Sequence, residues 1–438
     1  MKKRIIAAGL AAVLAMGCMT GCKSSTESKD TKSASANGKT EIEFWYSGGK
    51  TAVNVVQDII DEYNASQDQY EVNAVTQADY DETYQKLQSA VAGKAAPDVV
   101  LLNADVTRAL SDKGLVTDLG SLMDEDGDFN REDYVQVFFD QGVDEDGKIF
   151  AMPAYGTTQV LYYNKAAFEA ANIEPDSIKT WQDLSGAAAA IKATGEYEYG
   201  WEPMWGADNM IDAALSNGAS VLSEDGKTVT INSEEWVEVW ESFRTWIHDD
   251  KTMAVNSGGQ GWEYWYNTID DVLEGTAGGY TGSSGDQADL DFDIVAAMEQ
   301  PAWDEDTESA PMAEAKLLSI LESSSDEEKQ GAYDFMRYFT NAQSQAQWTM
   351  STGYVPVNLA VNDNEEYQAY VEENPQAAVP LAQASHGSVY PVDPTDGAIK
   401  DALNVAADKV ELDGVSAKEA LEEAQKTAQK ALEEALAK

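Results

Sequence analysis

Residues 40–75 read TEIEFWYSGGKTAVNVVQDIIDEYNASQDQYEVNAV, and the spacing of their apolar residues changes period twice. The segment 41–46, EIEFWY, predicts a strand. TAVNVVQDIIDEYNAS, 51–66, sets Val53, Val56, Ile60 and Tyr63 on one helical face, and YEVNAV, 70–75, returns to a strand pattern. The same alternation continues downstream. DYDETYQKLQSAVAGK, 79–94, predicts a helix with Tyr84, Leu87 and Val91 inward; PDVVLL, 97–102, a buried strand; ADVTRALSDKG, 104–114, another helix. Strand–helix units repeated in this way imply an α/β architecture with a largely parallel sheet wrapped by helices.

Beyond these units the pattern loosens. Asp-Gly turns in VDEDGKIFAMP (143–153) and LSEDGKTVTIN (222–232) mark short hairpins. From Trp181 the chain reads as mostly helical, with Trp236, Trp240 and Phe243 at core spacing in EEWVEVWESFRTWIHDD. FDIVAAM (292–298) reads as a later strand, and EKQGAYDFMRYFTN (328–341) as a helix turning Ala332, Phe335, Met336 and Phe339 inward. The Ala/Leu-striped tail from Ser416 reads as a covering helix.

The N-terminus is an export signal, not part of the fold. Lys2, Lys3 and Arg4 precede an apolar run, Ile5 to Met16, too short to span a bilayer. The run ends at Met19-Thr20-Gly21-Cys22, which resembles a bacterial lipobox, and Cys22 opens directly onto a polar tether. We therefore expect a signal peptide over 1–21, lipidation at Cys22, a tether over 22–40 and a protein held on the outer face of the cell membrane by lipid alone. No cysteine follows Cys22, so the folded part has neither a disulfide nor a thiolate site. About 400 residues exceed what one core usually serves, and two lobes are expected. The formal net charge of −49 disfavours nucleic acid and anionic lipid surfaces as partners.

Catalytic signals are sparse. The two histidines, His248 and His386, have no metal-ligand spacing, and no G-x-S-x-G elbow is present. SGGKT, 47–51, follows a strand and opens a helix, but Phe44 stands where a phosphate loop needs glycine. It reads as a tight turn at a helix N-terminus. What stands out is a set of loops in which aromatics neighbour small polar residues: WYSGG (45–49), MPAYGTTQVLYYNK (152–165, read as a Pro-led loop), GWEPMWGADN (200–209), GWEYWYN (261–267), GGYTGSSGD (278–286) and TGYVPV (352–357). Rings that cover CH faces beside hydroxyls and carboxylates suit a neutral, hydroxyl-rich ligand. These loops bring forward Trp45, Ser47, Tyr155, Trp262, Tyr280 and Gly353 as candidates, and Asp105 joins them from the third βα unit.

In order along the chain, FWYSGG, DYDETYQKLQSAVAGKAAPDVV, MPAYGTTQVLYYNKAAFEAANI, KTWQDL, GWEPMWG, LEGTAGGYTGSSG and QWTMSTGYVPVN resemble the family 1 extracellular solute-binding proteins of bacterial ABC importers, in particular the branch containing the glycerol-3-phosphate-binding protein. The resemblance implies a two-lobed, periplasmic-binding-protein-like fold of type II with the ligand cleft between lobes: 41–151 with 297–341 as one, 152–296 with 342–438 as the other. It implies a monomer that captures a small molecule for a membrane permease, with no catalytic role, cofactor or metal. Binding positions carry over at Tyr46, Asp81, Thr157, Thr158, Trp201, Trp205, Ser283, Ser284 and Tyr354. The family's phosphate-binding member has an arginine near its end; here the stretch is AQASHGSVYPVDP, with His386 as its one possible cation. That departure favours an uncharged sugar over a polyol phosphate. An exported carbohydrate-active enzyme is the alternative from another class, since carboxylates are too numerous for an acid–base pair to be picked out.

Overall fold

The computed structural model describes residues 38–389, 393–395 and 397–437; the signal segment, Cys22 and nearly all of the tether lie outside them. The opening pattern folds as its periods predict. Strands β1 (Thr40–Tyr46), β2 (Tyr70–Thr76) and β3 (Val99–Asn103) pair in parallel with β1 in the middle. They are connected by helices α1 (Lys50–Ser66) and α2 (Tyr80–Gly93), and α3 (Ala104–Asp112) follows β3. Helix α1 buries Val55, Val56, Ile59, Ile60 and Tyr63 on the sheet. Asp79 caps α2 by accepting the Glu82 N–H, satisfying one of the four donors that a helix start leaves free.

The remaining strands are β4 (Met152–Asn164), β5 (Glu202–Pro203), β6 (Gly279–Ser283), β7 (Val295–Met298) and β8 (Ala313–Ile320). One continuous path runs β2-β1-β3-β8-β4-β6-β5, with β7 also on β4. The sheet is mixed, because β8 is antiparallel to both β3 and β4 and β6 is antiparallel to β4. The segment read as a Pro-led loop is therefore β4, thirteen residues long. Pro153 and Gly156 weaken its strand signal, yet pairing with β8 and a bridge from Gly156 to Val355 hold it extended, with a register irregularity between Pro153 and Tyr155.

Strand β4 changes partner in mid-course. Met152–Thr158 pairs with β8, and Gln159–Asn164 with β6 and β7. Two large cores lie on either side of that change. The first gathers Ile42, Phe44, Leu101, Phe138, Leu317, Phe335 and Trp348; the second gathers Leu161, Trp181, Trp236, Trp240, Trp303, Leu403 and Leu421. These are two lobes, and β4 crosses between them at Gly156–Gln159. At Gly156 a Cβ would meet the Phe138 ring at 2.2 Å, so the crossing admits no side chain there. The expected boundaries at 297 and 342 both move: Trp303 packs in the second core, whereas Trp348, Val355 and Val357 pack in the first. The C-terminal helix Ala417–Leu436 buries an alanine and leucine face in the second core.

Candidate functional site

Where β4 changes partner, the lobes part around a cavity of about 380 Å³. Its floor is the crossing itself: Thr157, Thr158 and Gln159 of β4, with Ser283 at the end of β6. The hydroxyls of Thr157 and Ser283 lie 3.3 Å apart, and Ser283 Oγ also accepts the Gly285 N–H at 3.1 Å. The Thr158 hydroxyl is already committed, donating to the Met312 carbonyl at 2.7 Å and accepting from Gln383 Nε2 at 2.6 Å. Thr158 thus ties the crossing strand to its neighbours, and the open hydroxyl surface belongs to Thr157 and Ser283.

The second lobe contributes an aromatic wall of Trp205, Trp262, Tyr264, Trp265 and Tyr266. Trp205 meets Tyr264 edge-on, with ring centroids 5.0 Å apart and planes at 87°. Trp262 and Tyr266, one helical turn apart, remain 49% and 43% exposed, so two large apolar surfaces stand open at the mouth. Tyr354 closes the end of the cavity, stacked on Trp348 at 5.9 Å. The first lobe presents the start of α1 at Gly49 and Lys50, with Tyr80, Asn103, Glu314 and Lys316.

Two lysines of the cleft face carboxylates. Lys316 bridges Glu314 and Asn103, each at 2.8 Å, and Lys400 lies 3.3 Å from Asp208. The Lys400 ammonium is raised above its ordinary range by Asp208 first, with Glu314 and Asp105 adding to it. Burial pushes the Glu314 carboxyl up, but Lys316 and Lys400 outweigh it and hold Glu314 below the usual range. Asp212 and Asp286 are pushed up to about 8 by burial, against N–H and O–H donors that oppose the shift. Asp212 accepts from the Met312 N–H and Gln300 Nε2; Asp286 accepts from Trp265 Nε1 and the Tyr280 hydroxyl.

Of the residues expected from the sequence, Thr157, Thr158, Trp205, Trp262, Ser283 and Tyr354 line the cavity. Asp105 is not among the lining residues; solvent reaches it, yet surrounding protein and then Glu314 raise its carboxyl. The others lie elsewhere. Trp201 is fully buried in the second core with its N–H on Thr281, so of the two tryptophans only Trp205 lines the cavity. Tyr46 is buried against Phe44, and Trp45 donates its indole N–H to Glu43. Ser47 is buried just before the lining Gly49, and Asp81 is exposed on α2 while its neighbour Tyr80 lines the cleft. Tyr155 is buried and supports that Tyr80 through a 2.6 Å hydroxyl contact. Tyr280 holds Asp286, Ser284 is fully buried, and Gly353 (φ +79°) turns the chain into Tyr354.

The cation inventory is corrected as well. His386 pairs with Glu299 at 2.6 Å away from the cavity, whereas Lys50, Lys316 and Lys400 line it. Lys400 comes from the helix Ala398–Glu411, beyond the stretch AQASHGSVYPVDP. Gln159, Asp208, Asp212, Asp286, Glu314 and Trp265 were likewise not singled out from sequence. Gln159, Asp208, Trp265 and Asp286 sit inside the aromatic-rich segments; Asp212 and Glu314 carry no local signal.

A family model described as bacterial extracellular solute-binding protein matches residues 58–376. The chain belongs to the bacterial extracellular solute-binding proteins. The resemblance to the glycerol-3-phosphate-binding branch of the ABC-importer solute-binding proteins is thereby borne out, and so is a place outside the cytoplasm. The sn-glycerol-3-phosphate-binding periplasmic protein UgpB of Yersinia pestis is 25% identical over 378 residues, covering 81% of this chain and 82% of that protein. UgpB of Escherichia coli O6:K15:H31 is 25% identical over 369 residues, covering 80% and 82%. Among solved structures, Mycobacterium tuberculosis UgpB in complex with glycerophosphocholine superposes with a TM-score of 0.81 at 22% identity, over 91% of this chain and 100% of that one. The GacH receptor of Streptomyces glaucescens, solved unliganded and with acarbose, gives 0.78 at 19%, over 90% and 99%. These likenesses establish the two-lobed type II fold of this solute-binding protein.

Proposed function

We propose that this solute-binding protein captures a neutral mono- or oligosaccharide between its lobes and delivers it to the permease of an ABC importer. It does so as a monomer held at the outer membrane face by lipid on Cys22. The observation that carries the reading is the pairing of charge in the cleft. Lys316 and Lys400 each face a carboxylate of their own, Glu314 and Asp208, and burial holds Asp212 and Asp286 toward neutrality. An uncharged ligand has no charge to set against these pairs or against the solvent-exposed Lys50, its CH faces can lie on Trp205 and Trp262, and its hydroxyls can exchange bonds with Thr157 and Ser283. Capture followed by closure needs no bond chemistry, and this reading assigns the protein none.

A second reading has a specific observation in its favour. Lys316 and Lys400 could turn from their carboxylates to a phosphate, and relatives are named for glycerol 3-phosphate, and one is solved in complex with glycerophosphocholine. A thermal-shift screen separates the two, because a ligand at about 100 times its dissociation constant stabilises by about 2.7 kcal/mol. A panel of neutral sugars, glycerol 3-phosphate and glycerophosphocholine is screened together. The sugar reading expects the shift among the neutral sugars alone.

A further inference from the structure

The wall residue Trp205 is held from behind by a distant helix. Its indole N–H donates to Asp408 Oδ1 at 2.8 Å, and the next N–H, of Gly206, donates to Glu411 Oε2 at 3.1 Å. Gly206 has φ +112°, a turn that L side chains rarely adopt. Asp408 and Glu411 are three apart, on one face of the last turn of the helix Ala398–Glu411.

Asp408 there opposes the helix's own electrostatics, since a C-terminus favours cations, and Glu411, whose carboxyl burial pushes well above its usual range, adds no favourable charge either. Glu411 is nearly fully buried, and its Oε1 is buried without a hydrogen-bond partner. Two acidic side chains that bring the helix end no favourable charge point to a role outside it. The nearest beneficiary is the Trp205 loop. With its N–H edge on Asp408 and Tyr264 set edge-on against it, the indole is fixed in plane where it lines the cleft.

We propose that Asp408 is the positioning residue of the binding wall, locking the plane of Trp205 through its indole N–H, with Glu411 holding the turn that carries it. The same helix places Lys400 in the cleft, so its two ends fix an aromatic and a charged element of one site. The purpose of the lock rests on the proposed ligand reading. The lock itself is tested without any ligand, so that the two can fail separately.

The test is fluorine NMR of the intact folded chain labelled with 5-fluorotryptophan, which has 11 tryptophans. Trp205→Phe identifies the Trp205 line. Asp408→Ala is expected to shift or broaden that line while the other tryptophan lines and the melting temperature stay in place, because Asp408 is exposed. Asp408→Asn keeps an acceptor oxygen and should restore the line. An unmoved Trp205 line in Asp408→Ala, movement spread over many lines, or an Asn variant no better than Ala would each overturn the proposal.

Discussion

Trp201 directs its indole N–H to the hydroxyl of Thr281, 3.0 Å away inside the second lobe, while Trp205, four residues on, lines the cleft. Two residues of one type in one short segment therefore do different work. Trp201→Ala empties a fully buried site and is expected to cost about 3 to 5 kcal/mol of stability. Trp205→Ala is expected to leave the melt close to wild type and to weaken ligand binding by roughly 1 to 3 kcal/mol, as truncation of a contacting aromatic does. Denaturant melts beside titration calorimetry check both.

Charge pairing makes a second prediction. Asp208 is the first cause of the raised Lys400 ammonium, so Asp208→Asn leaves Lys400 short of its main counter-charge inside the cleft. The variant should gain weak affinity for inorganic phosphate that falls as salt rises, whereas the wild type shows none. Phosphate titrations at low and moderate ionic strength check it, and equal affinity in both proteins would contradict the pairing.

Stability should depend on pH with a definite sign. Glu202, Asp212 and Asp286 are each pushed up to about 8, chiefly by burial. Between the ordinary carboxylate range near 4 and about 8, the folded chain binds protons that the unfolded chain has lost, so stability falls as pH rises through that window. The melting temperature should be higher at pH 5.5 than at pH 8.5, and Asp212→Asn should flatten the slope.

The strand and helix periods of residues 40–112 were legible because each element buries one face, and periodicity records that. Strand β4 was not, since Pro153 and Gly156 suggest a loop and only its pairing with β8 and the bridge from Gly156 to Val355 keep that stretch extended. Trp201 and Trp205 could not be told apart by spacing. The short strand Glu202–Pro203 between them, paired with β6, sends one into the core and leaves the other in the cleft. Lys316 and Lys400 could not be placed from sequence either, because they reach the cleft from elements far apart in the chain.

Anchoring is a matter of the segment outside the described residues. Cys22→Ala should release the exported protein from the membrane fraction with its melt unchanged. A single myristoyl-type chain binds only marginally, so stable attachment calls for more than one acyl chain. Retention of the Ala variant in the membrane fraction after a salt wash would contradict lipidation at Cys22.

The most direct test of the ligand reading is titration calorimetry of the purified protein with the neutral sugar selected by the thermal-shift screen, and separately with glycerol 3-phosphate, at low and moderate salt. The pairing of Lys316 with Glu314 and of Lys400 with Asp208 predicts sugar binding that changes little with salt and no measurable heat from glycerol 3-phosphate. Tight, salt-sensitive binding of glycerol 3-phosphate, with no neutral sugar bound, would contradict it.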